Sequence, residues 1–220
     1  MYKDLELFLS KERLDRFLIA TERSEADAIA LYEKNIKVSK AFYPVLNLFE
    51  IFFRNIINEN VSKTFNNKDW ILTVNSGFMN HKSLSKSYFL KNSVLKAKKR
   101  IRKNGSKVTY SNVIAEQNLG FWTSFFDSNS FGLTKGIPLK CFPNKPKLEK
   151  RETIKIKLDN IRDFRNRIYH NEPICFSGKT VNFDKAIKIK NDIYDLLLWM
   201  NADFIYYNSY FEEIEKEIKM

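Results

Sequence analysis

The 220-residue chain carries 38 Lys and Arg against 26 Asp and Glu, a formal net charge of +12, with 44% hydrophobic and 15% aromatic residues. That much apolar material argues for a packed interior and against disorder, while the excess of cations points to a polyanionic partner, nucleic acid ahead of a membrane surface. Two isolated cysteines and two histidines exclude a disulfide framework and a structural zinc site, and no apolar run approaches the roughly 20 residues of a spanning helix.

Only six Gly and five Pro occur, and long stretches at both ends lack either, which favours helices over many short strands. An all-α fold in a single domain, residues 1–220, is expected. The opening MYKDLELFLSKERL carries acids where a signal peptide has none. A reducing cytoplasm, no membrane contact, no metal and no cofactor follow as expectations.

Ser10 precedes KERLDRFLIA, where Leu14, Phe17 and Leu18 share a helical stripe. Ser24 and Asp27 resemble a capping box, after which Ala28, Leu31, Tyr32 and Ile36 trace a second helical face toward Lys40. Residues 1–40 thus read as N-terminal helices. A new helix is expected from Ala41, with Pro44 in its first turn and Leu46, Phe49, Phe53, Ile56 and Ile57 at core spacing. Glu50 and Arg54 stand four apart on it, with Asn55 next, so the first two share a face.

From Trp70 to Ala115 there are ten Lys or Arg and no acid, most densely in KAKKRIRKNGSK. Leu90, Val94, Leu95, Ala97 and Ile101 run beneath the cations at helical spacing, and Gly105 is placed to end that helix. Lys96, Lys98, Lys99, Arg100, Arg102, Lys103 and Lys107 are therefore candidates for phosphate contact, against the plainer reading of a solvated face. Leu119, Trp122, Phe125 and Phe126 fall on one side of a short helix and are assigned to the core, since base stacking needs exposed rings.

Residues 128–146 gather Gly132, Gly136, Pro138, Pro143 and Pro146, which predicts an irregular loop between two bundle segments, 41–127 and 147–220. Helical order resumes with Ile154, Leu158, Ile161, Phe164, Arg165 and Ile168 on or beside one stripe and stops before Pro173. A last long segment, 183–218, starts near Asn182 and carries Ile187, Tyr194, Leu197, Leu198, Phe204 and Phe211.

The stretch RDFRNRIYHNEP, 162–173, surrounds His170 with polar side chains. Imidazoles as a class titrate near neutral pH and suit proton transfer, whereas Arg165 and Arg167 are permanent cations suited to a phosphorane. That pairing suits RNA cleavage without a metal, in which the ribose 2′-hydroxyl attacks phosphorus. On a straight helix, five steps of about 100° leave Arg165 and His170 some 140° apart, while Asn166 and His170 are about one turn apart. Convergence therefore requires a distorted helix end or two copies of the motif across a two-fold interface; otherwise His170 merely faces a helix C-terminus. His81, in GFMNHKSLSKS, has no acidic neighbour and reads as a loop residue.

The order of ALYEKNIKVSKAFYPVLNLFEIFFRN, LGFWTSFF, CFP and IRDFRNRIYHNEPI resembles the Abi-like, AbiD/AbiF-type family of bacterial abortive-infection proteins, over residues 10–175. That resemblance places the chain near the HEPN superfamily and implies a four- or five-helix bundle, a dimeric cleft and metal-independent ribonuclease activity. It implies catalytic roles for Arg165, Asn166 and His170, and a supporting role for Glu50, Arg54 and Asn55 on the earlier helix. It also implies a role in phage defence or a toxin–antitoxin pair, with RNA as substrate and a small inhibitory RNA as a further partner. Two positions depart from the pattern: Asn171 stands where relatives often carry a second His, and Glu172 where relatives modified by a partner nucleotidyltransferase carry Tyr. A non-catalytic RNA-binding or RNA-sensing module is the alternative.

Overall fold

A computed structural model describes residues 2–202 and 207–219. Helices dominate it: α1 (Tyr2–Leu9), α2 (Lys11–Ala20), α3 (Glu25–Phe65), α4 (Phe89–Lys103), α5 (Tyr110–Ala115), α6 (Leu119–Thr123), α7 (Ser128–Leu133), α8 (Arg151–Tyr169), α9 (Asp184–Trp199) and α10 (Asn208–Lys219). The strand content among the described residues is one antiparallel pair, β1 (Phe176–Ser177) with β2 (Thr180–Val181), in the register Phe176 to Val181 and Ser177 to Thr180. The fold is all-α.

The chain divides into two compact units. One holds the residues up to Asn47, Asp163–Tyr194 and α10; the other holds Leu48–Arg162 and Asp195–Ala202.

In the first unit, Tyr2, Leu14, Phe17, Ala28, Cys175 and Phe176 form a buried cluster. Phe17 stands edge-on to Tyr32 and to Phe176, each at 5.2 Å between centroids, so α2, α3 and the hairpin close on one ring. Ser24 caps α3 as its sequence promises, accepting the Asp27 N–H at 3.4 Å. Buried Asn35 accepts the Ile174 N–H at 2.8 Å and ties the chain beyond α8 back to α3. Phe42 and Phe164 pack edge-on at 4.8 Å. Asn182 stands just before α9 and takes the Asp184 N–H on its side-chain oxygen at 2.6 Å.

The second unit is built on aromatic rings. Trp70, Phe78, Trp122 and Phe125 interlock, with Trp70 edge-on to Phe125 at 5.9 Å and Trp122 stacked on Phe125 at 6.1 Å. Phe53 packs against Phe126 and Phe142, both at 6.2 Å. Trp122, Phe125 and Phe126 are fully buried, in line with the core role expected of them. Asn58 accepts the Trp70 indole N–H at 2.9 Å, so the ring's polar edge is satisfied inside.

Four local expectations need correction. The helix expected to begin at Ala41 is the continuation of α3, which runs 41 residues with Pro44 in its interior. Interior proline destabilises a helix by about 3 kcal/mol, whereas each large apolar side chain buried contributes about 1.5–3 kcal/mol. Val38, Ala41, Val45, Phe49, Phe53, Ile57 and Val61 are buried on both sides of Pro44, and their packing outweighs the missing hydrogen bond.

The breaker-rich 128–146 is not irregular throughout. It folds into α7 and a 3-10 turn over Ile137–Cys141, where Gly136 adopts a left-handed φ of 71° and Ile137, Pro138 and Cys141 are buried. The segment 183–218 is two helices, α9 and α10, rather than one, and Phe204 lies outside the described residues. Leu95 and Ile36, assigned to buried stripes, are exposed.

Candidate functional site

The end of α8 is built from a cap. His170 donates its backbone N–H to the Asn166 carbonyl at 2.9 Å, so regular helical bonding continues through the histidine. Asn171 then turns left-handed, with φ of 55°, its N–H reaching the Ile168 carbonyl at 3.0 Å while the Glu172 N–H reaches the Arg167 carbonyl at 2.8 Å. This pair of bonds is a Schellman cap with asparagine in the glycine position. Helical bonding is thus regular up to His170, without the distortion that would bring Arg165 and His170 together within one helix.

On that regular end the motif splits into two faces. Arg165 lays its guanidinium 3.9 Å from the centroid of the Tyr169 ring, one turn on. Such a cation–π contact is worth about 0.5–2 kcal/mol and holds a flexible side chain flat. Asn166 serves both faces: its side-chain oxygen accepts from Arg165 Nη1 at 3.4 Å, and its carbonyl holds the His170 N–H. His170 itself is exposed at the cap.

Arg167 is engaged by the chain that follows the helix. Its Nη2 donates to the Pro173 carbonyl at 2.6 Å and its Nε lies 3.8 Å from Glu172, so it fastens the chain that leaves the helix. Arg13, from α2, adds a bond from Nη1 to the Asn171 carbonyl at 2.7 Å.

Glu50, Arg54 and Asn55 lie on the part of α3 that belongs to the second unit. Arg54 Nε donates to the Asn55 side-chain oxygen at 3.3 Å.

The basic helix α4 also lies in the second unit. Its buried stripe is Leu90, Val94, Ala97 and Ile101, and a Schellman cap at Gly105, φ 73°, ends it where the sequence placed the stop. Two candidate cations are engaged by the fold. Lys98 Nζ donates to the Leu72 carbonyl at 2.9 Å, and Arg100 pairs with Glu116 at 3.0 Å. Burial, and then the nearby Arg102, pull the Lys98 ammonium below its ordinary value. Lys96, Lys99, Arg102, Lys103 and Lys107 are exposed and form the cationic face.

His81 accepts the Ser83 N–H at 3.2 Å and caps a 3-10 turn, a local role that fits its reading as a loop residue. Cys141 and Cys175 are buried, which pushes their thiols up to about 12 and about 11. Neither has the thiolate character of a nucleophile at neutral pH. Among the described residues no group of three or more His, Cys, Asp or Glu side chains is placed to share a metal ion, and no helix is long and apolar enough to cross a membrane.

Sequence reasoning overlooked two aromatic side chains here. Tyr43 and Tyr169 stack at 5.8 Å with 23° between planes, and both remain exposed. Helical periodicity counts tyrosine with the apolar residues, so their exposure carried no sequence signal; the position of Tyr169 directly before His170 was the available clue.

Comparison with family models, with curated proteins and with solved structures finds no match to this chain.

Proposed function

We propose that the protein is an RNA endonuclease of the HEPN type, related to the Abi-like abortive-infection proteins and acting in the cytoplasm. The observation that carries this reading is the helix end itself: a permanent cation held flat on Tyr169, an exposed imidazole at the cap, and Asn166 bonded to both residues. The exposed cations of α4, within a stretch from Trp70 to Ala115 that contains no acid, support RNA, rather than a small anion, as the partner.

In the reaction proposed, the 2′-hydroxyl of one nucleotide attacks the adjacent phosphorus and the bond to the next 5′-oxygen breaks. His170 carries a proton between these oxygens, which is worth about 10²–10⁴ in rate, and Arg165 stabilises the charge that builds on the phosphorane. The products are a 2′,3′-cyclic phosphate and a 5′-hydroxyl. Because a regular helix keeps Arg165 and His170 on different faces, each site takes Arg165 from one copy and His170 from a second, in a homodimer. Phage defence by abortive infection, or toxicity within a toxin–antitoxin pair held in check by a small RNA, is the setting that the family resemblance suggests.

The test is direct. Pure protein incubated with total cellular RNA in EDTA is expected to cut it at defined positions, and His170→Ala to reduce the rate by at least about 10²-fold. Intact RNA, or equal cutting by both proteins, contradicts the proposal and favours a module that binds RNA without cleaving it.

A further inference from the structure

Beside the cap of α8, the first unit has a groove of about 520 Å³, walled by Ile36, Lys40 and Tyr43 of α3, by Arg13 of α2, and by Asn171 and Glu172. The volume falls within the range of about 300–1,000 Å³ that suits a small organic ligand.

Two apolar side chains of its wall, Ile36 and Tyr43, stand partly in water, and Tyr169 covers one face of the Tyr43 ring. Tyr43 is 52% exposed, Ile36 48% and Tyr169 39%, although the two tyrosine rings are already stacked on each other. Two cations of the groove wall, Arg13 and Lys40, outnumber its one carboxylate, Glu172, which stands 3.8 Å from Arg167. The bond from Arg13 Nη1 to Asn171 fixes that guanidinium and leaves its remaining N–H donors for another acceptor.

We infer that this groove seats one unpaired RNA nucleotide, its base stacked on Tyr43 and its phosphate between Lys40 and Arg13. The inference rests on the reading of the protein as acting on RNA, and it deepens that reading: it makes the substrate single-stranded beside the scissile bond. Bases in an A-form duplex are stacked inside and offer no free face, whereas an unstacked base of any identity can extend an aromatic stack. A seat of this kind reads strandedness rather than sequence.

The experiment uses the full chain carrying His170→Ala, which stops turnover, and follows the anisotropy of fluorescein-labelled single-stranded oligouridylate and of its duplex with oligoadenylate. Adding Tyr43→Ala is expected to weaken single-strand binding about tenfold, and Tyr43→Phe, which keeps the ring, by less than about twofold. Duplex binding stays unchanged, and a 4-thiouridine oligonucleotide cross-links to the peptide containing Tyr43. Single-strand affinity unaltered by Tyr43→Ala overturns the inference. So does a Tyr43→Ala protein that sediments as a monomer with unchanged affinity, because the groove is then a seat for a second copy. Failure of the nuclease reading has a separate signature: the protein with His170 intact leaves RNA uncut in EDTA while Tyr43→Ala still loses single-strand affinity, and the groove assignment stands.

Discussion

Asn171 and Gly105 close two helices with the same pair of backbone bonds, at φ of 55° and 73°. Glycine adopts this conformation without penalty, and asparagine tolerates it far better than other residues with a side chain. Asn171→Gly is therefore expected to leave stability unchanged or slightly raised, and Asn171→Ala to lower it by about 1–2 kcal/mol, read from urea unfolding. Equal stability of the two variants contradicts a left-handed cap at this position. The turn matters beyond stability because His170 is the residue immediately before it.

At the scale of elements, α4 separates cations that hold the fold from cations that face water. Replacing exposed Lys96, Lys99, Arg102 and Lys103 together by Gln is expected to weaken RNA binding and flatten its salt dependence. The slope of log K against log salt should fall by about 0.7 for each phosphate that is no longer neutralised, about 3 in all. Lys98→Gln is expected to change that slope little and to act on folding, because its ammonium is seated on the Leu72 carbonyl. The folded-state pKa of Lys98 lies below its unfolded value, so just below pH 10.5 the unfolded chain holds the proton longer and stability rises with pH. That rise is expected to be absent in Lys98→Gln.

The same scale shows what periodicity can and cannot reveal. The stripes Leu90, Val94, Ala97, Ile101 and Ile154, Leu158, Ile161, Phe164 were legible because each is a repeat within one helix, and all eight residues are buried. Pro44 misled because its penalty is local, while the packing that overrides it runs along α3 on both sides of the proline. The stack of Tyr43 on Tyr169 joins residues far apart in sequence, and no window along the chain contains both.

For the whole molecule, the net charge of +12 and the scarcity of glycine and proline already implied an all-helical protein with a polyanionic partner. The all-helical part is what the structure has. The partner, the chemistry and the doubling of the chain rest on the motif at the end of α8. They share one requirement, a 2′-hydroxyl at the bond that breaks. The most direct measurement uses a short RNA containing one mapped cut site, and a copy with a single 2′-deoxynucleotide 5′ of that bond. The RNA is expected to yield a 2′,3′-cyclic phosphate and a 5′-hydroxyl in EDTA, and the deoxy-substituted copy to stay uncut there. Cleavage of both at the same rate, or ends bearing a 5′-phosphate, contradicts a 2′-hydroxyl mechanism carried by Arg165 and His170.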